Sequence, residues 1–192
     1  MPYSWKNKTA FITGASSGLG ASFSRFLAEK GLRLILTARR KENLQKITAE
    51  IQASGGRADY FPADISKESE RESLCKYVNS FSDGIDVLIN NAGFGWYGYF
   101  AEMPWTLARQ MAQVNMVSAA FLTRKLLPGM LSRKSGHIIN IGSIAGGLPN
   151  QGIALYAASK AFLDAFTTSL ARELRGSGLH ASVMRLGPGS AR

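Results

Sequence analysis

The sequence alternates between short apolar runs and longer helical patterns about six times. The apolar runs are TAFIT (9–13), LRLILTA (32–38), ADYFPA (58–63), IDVLIN (85–90), GHIINIG (136–142) and HASVMRL (180–186). Helical patterns separate them near 19–27, 41–54, 67–81, 104–132 and 155–175, and Pro128 is expected to kink or end the fourth helix. Alternation of this kind predicts a doubly wound α/β fold, with a parallel sheet and helices on both faces.

Length and composition are those of one globular domain over residues 1–192, with 45% hydrophobic residues. Cys75 is the only cysteine, which excludes an internal disulfide and favours a reducing compartment. The first residues lack a signal-peptide pattern, and no run approaches the roughly 20 apolar residues of a membrane span. We therefore expect a cytoplasmic protein with no membrane partner and no metal site.

The chain is basic, with 23 lysines and arginines against 13 acidic residues and a net charge of +10. Such a charge is compatible with nucleic acid, an anionic membrane surface or an anionic small ligand. The basic residues are spread along the whole chain in short pairs such as Arg39-Arg40, whereas nucleic-acid binders usually concentrate them in one block or helix face. This distribution favours a merely basic surface, and we expect no nucleic-acid partner.

A glycine-rich stretch, TGASSGLG (13–20), connects the first strand to the first helix. Its glycines follow G-x-x-x-G-x-G, which differs from the common dinucleotide pattern G-x-G-x-x-G. At the start of a helix, backbone N–H groups and the helix dipole favour an anion, and glycines allow a phosphate to approach the backbone closely. A glycine-rich turn without a ligand is the alternative, but the position between strand and helix favours a nucleotide.

The end of the second strand indicates which nucleotide. NAD-binding proteins usually place an acidic residue here, about 20 residues beyond the loop, to bind the ribose 2′-hydroxyl. This chain has Thr37-Ala38-Arg39-Arg40 instead, so no carboxylate would repel a 2′-phosphate and the planar guanidinium of Arg39 could bind one. Both arginines could instead be solvated surface charges, but their position favours NADP(H).

Tyr156 and Lys160 (YAASK) are four residues apart and share one face of a predicted helix. A neighbouring ammonium group stabilises a phenolate, which makes the hydroxyl more useful as an acid or base. Ser143 follows the strand 136–142, where its hydroxyl could bind a substrate oxygen or cap a helix. Asn115 lies among apolar residues of the long helical stretch, where an amide requires partners.

These motifs, together with Asp64 after the third strand and Asn90-Asn91-Ala92-Gly93 after the fourth, closely resemble the short-chain dehydrogenase/reductase family. The resemblance extends over about residues 7–188. It implies a single-domain Rossmann-like fold and reversible hydride transfer between NADP(H) and a small-molecule carbonyl or alcohol. It also implies a homodimer or homotetramer that associates through the helices near 104–127 and 155–175.

The resemblance further implies a role for each matching residue. Tyr156 would be the catalytic acid/base, and Lys160 would lower its pKa and hold the nicotinamide ribose. Ser143 would orient the substrate oxygen, and Asn115 would hold a water in a proton relay toward Lys160. The residues expected to bind the cofactor are Gly14, Ser16, Ser17, Gly18, Leu19, Gly20, Arg39, Asp64, Ile65, Asn91, Ala92, Gly93, Tyr156 and Lys160.

Three questions stay open at the level of sequence. The aromatic run at 94–100 could line a substrate pocket or pack between helices. A family member that binds nucleotide without catalysis, acting as a sensor or scaffold, is the alternative function. The chain ends with LGPGSAR (186–192), without the threonine that follows this turn in the family. We therefore expect a truncated form that lacks the last strand and the substrate lid.

Overall fold

The computed structural model describes residues 5–81, 84–148 and 150–187. They form one six-stranded sheet in which every neighbouring pair is parallel, with the order β3-β2-β1-β4-β5-β6. The strands are β1 (Thr9–Thr13), β2 (Arg33–Ala38), β3 (Arg57–Pro62), β4 (Val87–Asn90), β5 (Gly136–Ser143) and β6 (Leu179–Leu186). The predicted doubly wound α/β architecture is confirmed.

In the described residues, six α-helices flank the sheet: α1 (Gly18–Glu29), α2 (Lys41–Ala53), α3 (Glu68–Asn79), α4 (Trp105–Ala112), α5 (Ser118–Arg133) and α6 (Ala154–Glu173). Two apolar cores hold these layers together. One packs β1, β2, β4 and β5 against α3, α5 and α6 around Phe11 and Leu122, and the other packs the opposite face against α1 and α2 around Ile12 and Leu44. The central strands are buried on both faces, as their apolar runs predicted. None of the helices in the described part of the chain combines the length and apolar character that a membrane span requires.

The predicted helix over 104–132 differs from the structure in two respects. It is interrupted by a π-helical turn at Gln113–Val117, which separates α4 from α5. Pro128 does not end the helix, because α5 continues past it to Arg133. Proline removes the hydrogen bond to the carbonyl of Arg124, and both residues lie on the exposed face, where water can bind that carbonyl.

The strand order places the functional region. The chain moves outward from β1 through β2 to β3, and then returns to the other side of β1 at β4. The loops after β1 and β4 therefore leave the sheet in opposite directions and open a crevice at its carboxyl edge. In open α/β sheets, ligands bind at such a switch point.

Candidate active site

A cleft of about 610 Å³ opens at this switch point. It is lined by residues from the carboxyl ends of the strands and the loops that follow them. Of the sixteen residues that the sequence predicts for the site, the cleft brings together fourteen: Gly14, Ser16, Ser17, Leu19, Gly20, Arg39, Asp64, Ile65, Asn91, Ala92, Gly93, Ser143, Tyr156 and Lys160. The other two, Gly18 and Asn115, do not line the cleft.

The glycine loop after β1 packs tightly against the turn after β4. Gly14 has a positive φ of 66°, and a Cβ there would lie 2.8 Å from the Cα of Ala92. A Cβ on Gly20 would overlap the Gly14 carbonyl oxygen, and Asn91 donates side-chain hydrogen bonds to the carbonyls of Thr13 (2.9 Å) and Gly14 (3.2 Å). The loop can take this shape only because these positions lack side chains.

We predict that Gly14→Ala disrupts this loop, whereas Gly18→Ala, which shares the positive φ, is a milder change. A Cβ on Gly18 meets nothing within 4 Å, so its cost is the left-handed conformation alone, about 1–2 kcal/mol. Gly14→Ala adds a backbone clash and should lower both the free energy of unfolding and the affinity for a dinucleotide further. Thermal denaturation and a fluorescence titration of both variants measure this difference. Equal effects of the two changes would show that the contact with Ala92 is unimportant.

The start of α1 provides an anion-binding environment beside two arginines. The first turn of α1 contains no acidic residue, and the hydroxyls of Ser16 and Ser17 accept hydrogen bonds from Nη2 of Arg40, at 3.3 and 2.7 Å. Arg39 and Arg40 both line the cleft. The sequence prediction included Arg39 but not Arg40, although the two are adjacent, because only the fold shows that Arg40 reaches the glycine loop.

A buried arginine supports the loop after β3. The carboxylate of Asp64 accepts hydrogen bonds from the backbone N–H and the hydroxyl of Ser66. Burial acts to raise the pKa of Asp64, but these hydrogen bonds lower it, and the pKa lies below its ordinary value. Arg71, which is 3% exposed, donates to the Ile65 carbonyl (2.8 Å) and to Gln113 Oε1 (3.2 Å). Arg71 therefore connects this loop with the π-helical turn that carries Asn115.

Tyr156 and Lys160 lie one turn apart on α6, as predicted. Lys160 is 6% exposed; its Nζ donates to the Ile141 carbonyl at 2.7 Å and lies 5.7 Å from the centroid of the Tyr156 ring. Burial lowers the pKa of Lys160 to about 8, and the Asp164 carboxylate opposes this change. The result is a cation held beside the tyrosine in a largely dehydrated place.

Asn115 lies behind the cleft wall in the π-helical turn. Its Nδ2 donates to the Phe94 carbonyl (2.9 Å) and to Ser159 Oγ (3.0 Å), and its Oδ1 accepts from the backbone N–H of Phe94 (3.1 Å). A Cβ on Gly93 would lie 3.3 Å from Asn115 Oδ1 and 3.6 Å from Lys160 Nζ. The buried amide that was unusual in the sequence therefore has its partners, and it connects the turn after β4 to α6.

Ser143 ends β5 and also caps the short 3₁₀ helix Ile144–Gly146, since its Oγ accepts a hydrogen bond from the backbone N–H of Ala145 at 3.2 Å. The two roles considered for this serine are compatible, because the capping hydroxyl still lines the cleft with Tyr156. Its own O–H remains available to donate to a substrate oxygen.

The aromatic run at 94–100 divides between the two possibilities. Phe94 and Trp96 pack with Met103, Met111, Leu155 and Tyr156, whereas Tyr97, Tyr99 and Phe100 are more than half exposed. Phe94 and Gly95 also line the cleft, and a Cβ on Gly95 would touch the Tyr156 ring at 3.3 Å. Part of the run therefore packs between helices and holds the tyrosine, while the rest forms an apolar surface.

Comparison with known proteins gives a consistent result. The family model described as short chain dehydrogenase matches residues 8–191. Ketoacyl reductase HetN from Nostoc sp. is 37% identical over 180 residues, which cover 92% of this chain and 62% of that protein. A metagenomic short-chain oxidoreductase solved with NADP has a TM-score of 0.90 at 38% identity, covering 97% of this chain and 84% of that one. A Burkholderia phymatum short chain dehydrogenase/reductase solved with NAD has a TM-score of 0.91 at 28% identity, covering 96% of this chain and 67% of that one.

Proposed function

Because the chain belongs to the short-chain dehydrogenase/reductase family, we propose that it transfers hydride between NADP(H) and a small carbonyl or alcohol compound. The observation that carries this proposal is the pairing of Tyr156 with the buried Lys160 in the same cleft that the glycine loop lines. The glycine loop follows β1 and Ser143 ends β5, with β4 between them in the sheet, so the cleft has separate places for the phosphates and for the reacting atoms.

The residues present fit an NADP(H) molecule. Glycines 14 and 20 let the loop after β1 pack against the turn after β4, and the space around the Cβ position of Gly18 is open. The start of α1 presents backbone N–H groups, with no acidic residue in its first turn. Arg39 and Arg40 line the end of the cleft that would receive a 2′-phosphate. Relatives bind NADP in one solved structure and NAD in another, so the preference for NADP(H) rests on these two arginines.

A bound nicotinamide would supply or accept the hydride. In the direction of reduction, Tyr156 donates its phenolic proton to the carbonyl oxygen, which becomes the hydroxyl of the product alcohol. Ser143 donates a hydrogen bond to the same oxygen and stabilises negative charge that develops on it. The Lys160 ammonium stabilises the phenolate that remains and provides a donor for the ribose hydroxyls.

Asn115 is proposed to act as a positioning residue that holds other parts of the site in place. Its side chain fixes the backbone of Phe94 and contacts Ser159 on α6, which sets the spacing between the Gly93 turn and Lys160. Both of its N–H groups are engaged, so a water in the proposed proton relay would use the remaining acceptor site on Oδ1.

For the substrate we propose an apolar carbonyl compound, such as a ketone, an aldehyde or an acyl thioester. The exposed rings of Tyr97 and Tyr99 lie on the loop that packs against Tyr156, and the similar Nostoc protein is a ketoacyl reductase.

The proposal includes a homo-oligomer formed through α4 to α6. Val117 of the π-helical turn between α4 and α5 and Phe162 on α6 are both more than one-third exposed.

The proposed function is tested by carbonyl-dependent oxidation of NADPH, followed by loss of its absorbance with panels of ketones, aldehydes and acyl thioesters. The expected result is oxidation with at least one class of compound and formation of the matching alcohol. Tight binding of NADPH with no oxidation by any compound would favour the alternative, a nucleotide-binding protein without catalysis.

A further inference from the structure

Asp164 lies one helical turn beyond Lys160 on α6, and its side chain is largely buried, at 16% exposure. A Cβ on Gly142 would lie 3.4 Å from Asp164 Oδ1, and a Cβ on Gly146 would lie 3.1 Å from Oδ2. Lys160 donates its hydrogen bond to the carbonyl of Ile141, the residue just before Gly142. The ammonium and the carboxylate therefore lie beside successive residues at the end of β5, next to Ser143.

Arg185 on β6 is the ion-pair partner of Asp164. Its Nε lies 3.1 Å from each carboxylate oxygen, and its Cα is in register with that of Gly142 on β5. The Arg185 side chain is 54% exposed. Solvent therefore weakens the electrostatic effect of its charge on neighbouring groups more than it weakens that of the largely buried Asp164 carboxylate. The two residues that follow, Leu186 and Gly187, line the cleft.

The groups that face Lys160 come from three other elements and from its own helix. Beside it are the Ile141 carbonyl of β5, the Asn115 amide of the π-helical turn and the backbone of Gly93 after β4. On α6 its neighbours are Tyr156 and Asp164. Among these neighbours, the Asp164 carboxylate opposes the effect of burial on the pKa of Lys160, and the Arg185 guanidinium is bound to that carboxylate.

We infer that Asp164 and Arg185 form a charge pair that sets the charge state of Lys160 in the candidate site. Asp164 favours the ammonium form of Lys160, and Arg185 limits that effect. A negative charge near an amine favours the protonated amine, and a positive charge near the carboxylate offsets this attraction. The two residues therefore act in opposite directions on Lys160. The consequence for catalysis rests on the proposed function, but the charge state of Lys160 can be measured without it.

The test is a pH titration of the chain without cofactor, carrying ¹³C-labelled lysine, in which NMR follows the Cε resonances. Burial lowers the pKa of Lys160 to about 8, so we expect one Cε resonance to titrate near that pH, and its loss in Lys160→Met identifies it. We expect Asp164→Asn to lower this midpoint by about half a pH unit or more. Arg185→Gln should produce a smaller shift upward.

Matched controls lie on the same helix at its far end, where Glu173→Gln removes an exposed negative charge and Arg172→Gln an exposed positive one. Both should leave the Lys160 midpoint unchanged, and Asp164→Glu, which keeps the charge, should stay close to the unmodified chain. If Asp164→Asn does not fold, Arg185→Gln and Asp164→Glu still decide the question.

Shifts in the same direction for Asp164→Asn and Arg185→Gln, or no shift in Arg185→Gln, would overturn the inference. This outcome is separate from a failure of the proposed function, because the titration requires neither NADPH nor turnover. Where turnover is measured, the high-pH limb of carbonyl reduction should move in the same directions as the Lys160 midpoint. A purely structural role would change the rate without moving that limb.

Discussion

Replacing Tyr156 with phenylalanine is expected to lower the turnover of carbonyl reduction by at least about 100-fold, the usual contribution of a general acid. The change keeps the ring, which packs with Phe94, Trp96 and Leu155, and removes only the hydroxyl that would donate the proton. The cleft and its glycine loop are unaffected, so NADPH affinity should stay within about twofold. Steady-state kinetics together with a fluorescence titration of NADPH separates these two effects.

The matched control is Tyr77→Phe. Tyr77 lies on α3, does not line the cleft and packs its ring against Phe61 and Phe81, so removal of its hydroxyl oxygen should leave turnover nearly unchanged. Substantial residual activity in Tyr156→Phe would mean that another group carries the proton. The assignment of Tyr156 as the acid/base would then be wrong.

Replacing Arg39 with alanine is expected to weaken NADPH binding by about tenfold or more and to change NADH binding little. A hydrogen bond to a charged group contributes about 1.5–3 kcal/mol, and this one would exist only with the cofactor that carries a 2′-phosphate. Arg39 lines the cleft at the end of β2, and Arg40 already donates to the Ser16 and Ser17 hydroxyls. Parallel titrations of NADPH and NADH measure the ratio of affinities.

Arg57→Ala is the control for net charge, because Arg57 begins β3 at the amino edge of the sheet, away from the cleft. It removes the same charge and should leave both affinities unchanged. If Arg39→Ala binds NADPH normally while Arg40→Ala does not, Arg40 is the phosphate ligand instead. If the unmodified chain binds NADH more tightly, the preference for NADP(H) is wrong.

The fold could be predicted from the sequence because its signals are local. Strands such as LRLILTA are apolar on both faces, and the glycine loop marks the passage from β1 to α1. The π-helical turn at Gln113–Val117 could not be predicted in this way, since the helical pattern continues through it. Pro128 was expected to kink or end the helix, and α5 does not end there, because the cost of a proline depends on whether water can reach the freed carbonyl.

The sequence predicted those parts of the candidate site in which particular residue types at a particular spacing indicate a chemical role, as with Tyr156 and Lys160. The prediction was incomplete where hydrogen-bond and ion-pair partners come from distant parts of the chain. Arg71 is buried against Ile65 and Gln113, and Asp164 pairs with Arg185 on another element. A sequence pattern does not indicate that Arg71 is buried and Asp164 largely buried, or which residues they contact. The turn at 188–192, for which the sequence suggested a missing continuation, lies outside the described residues.

The most direct test of the central claim follows the hydride itself. NADPH that carries deuterium at C4 of the nicotinamide, on the face that the chain uses, is incubated with the chain and a carbonyl compound that it accepts, and the alcohol is analysed by mass spectrometry. The account predicts one deuterium on the carbinol carbon with the unmodified chain and at least about 100-fold less labelled alcohol with Tyr156→Phe. Bound NADPH that yields no labelled alcohol with any ketone, aldehyde or acyl thioester, whichever face carries the label, would contradict it.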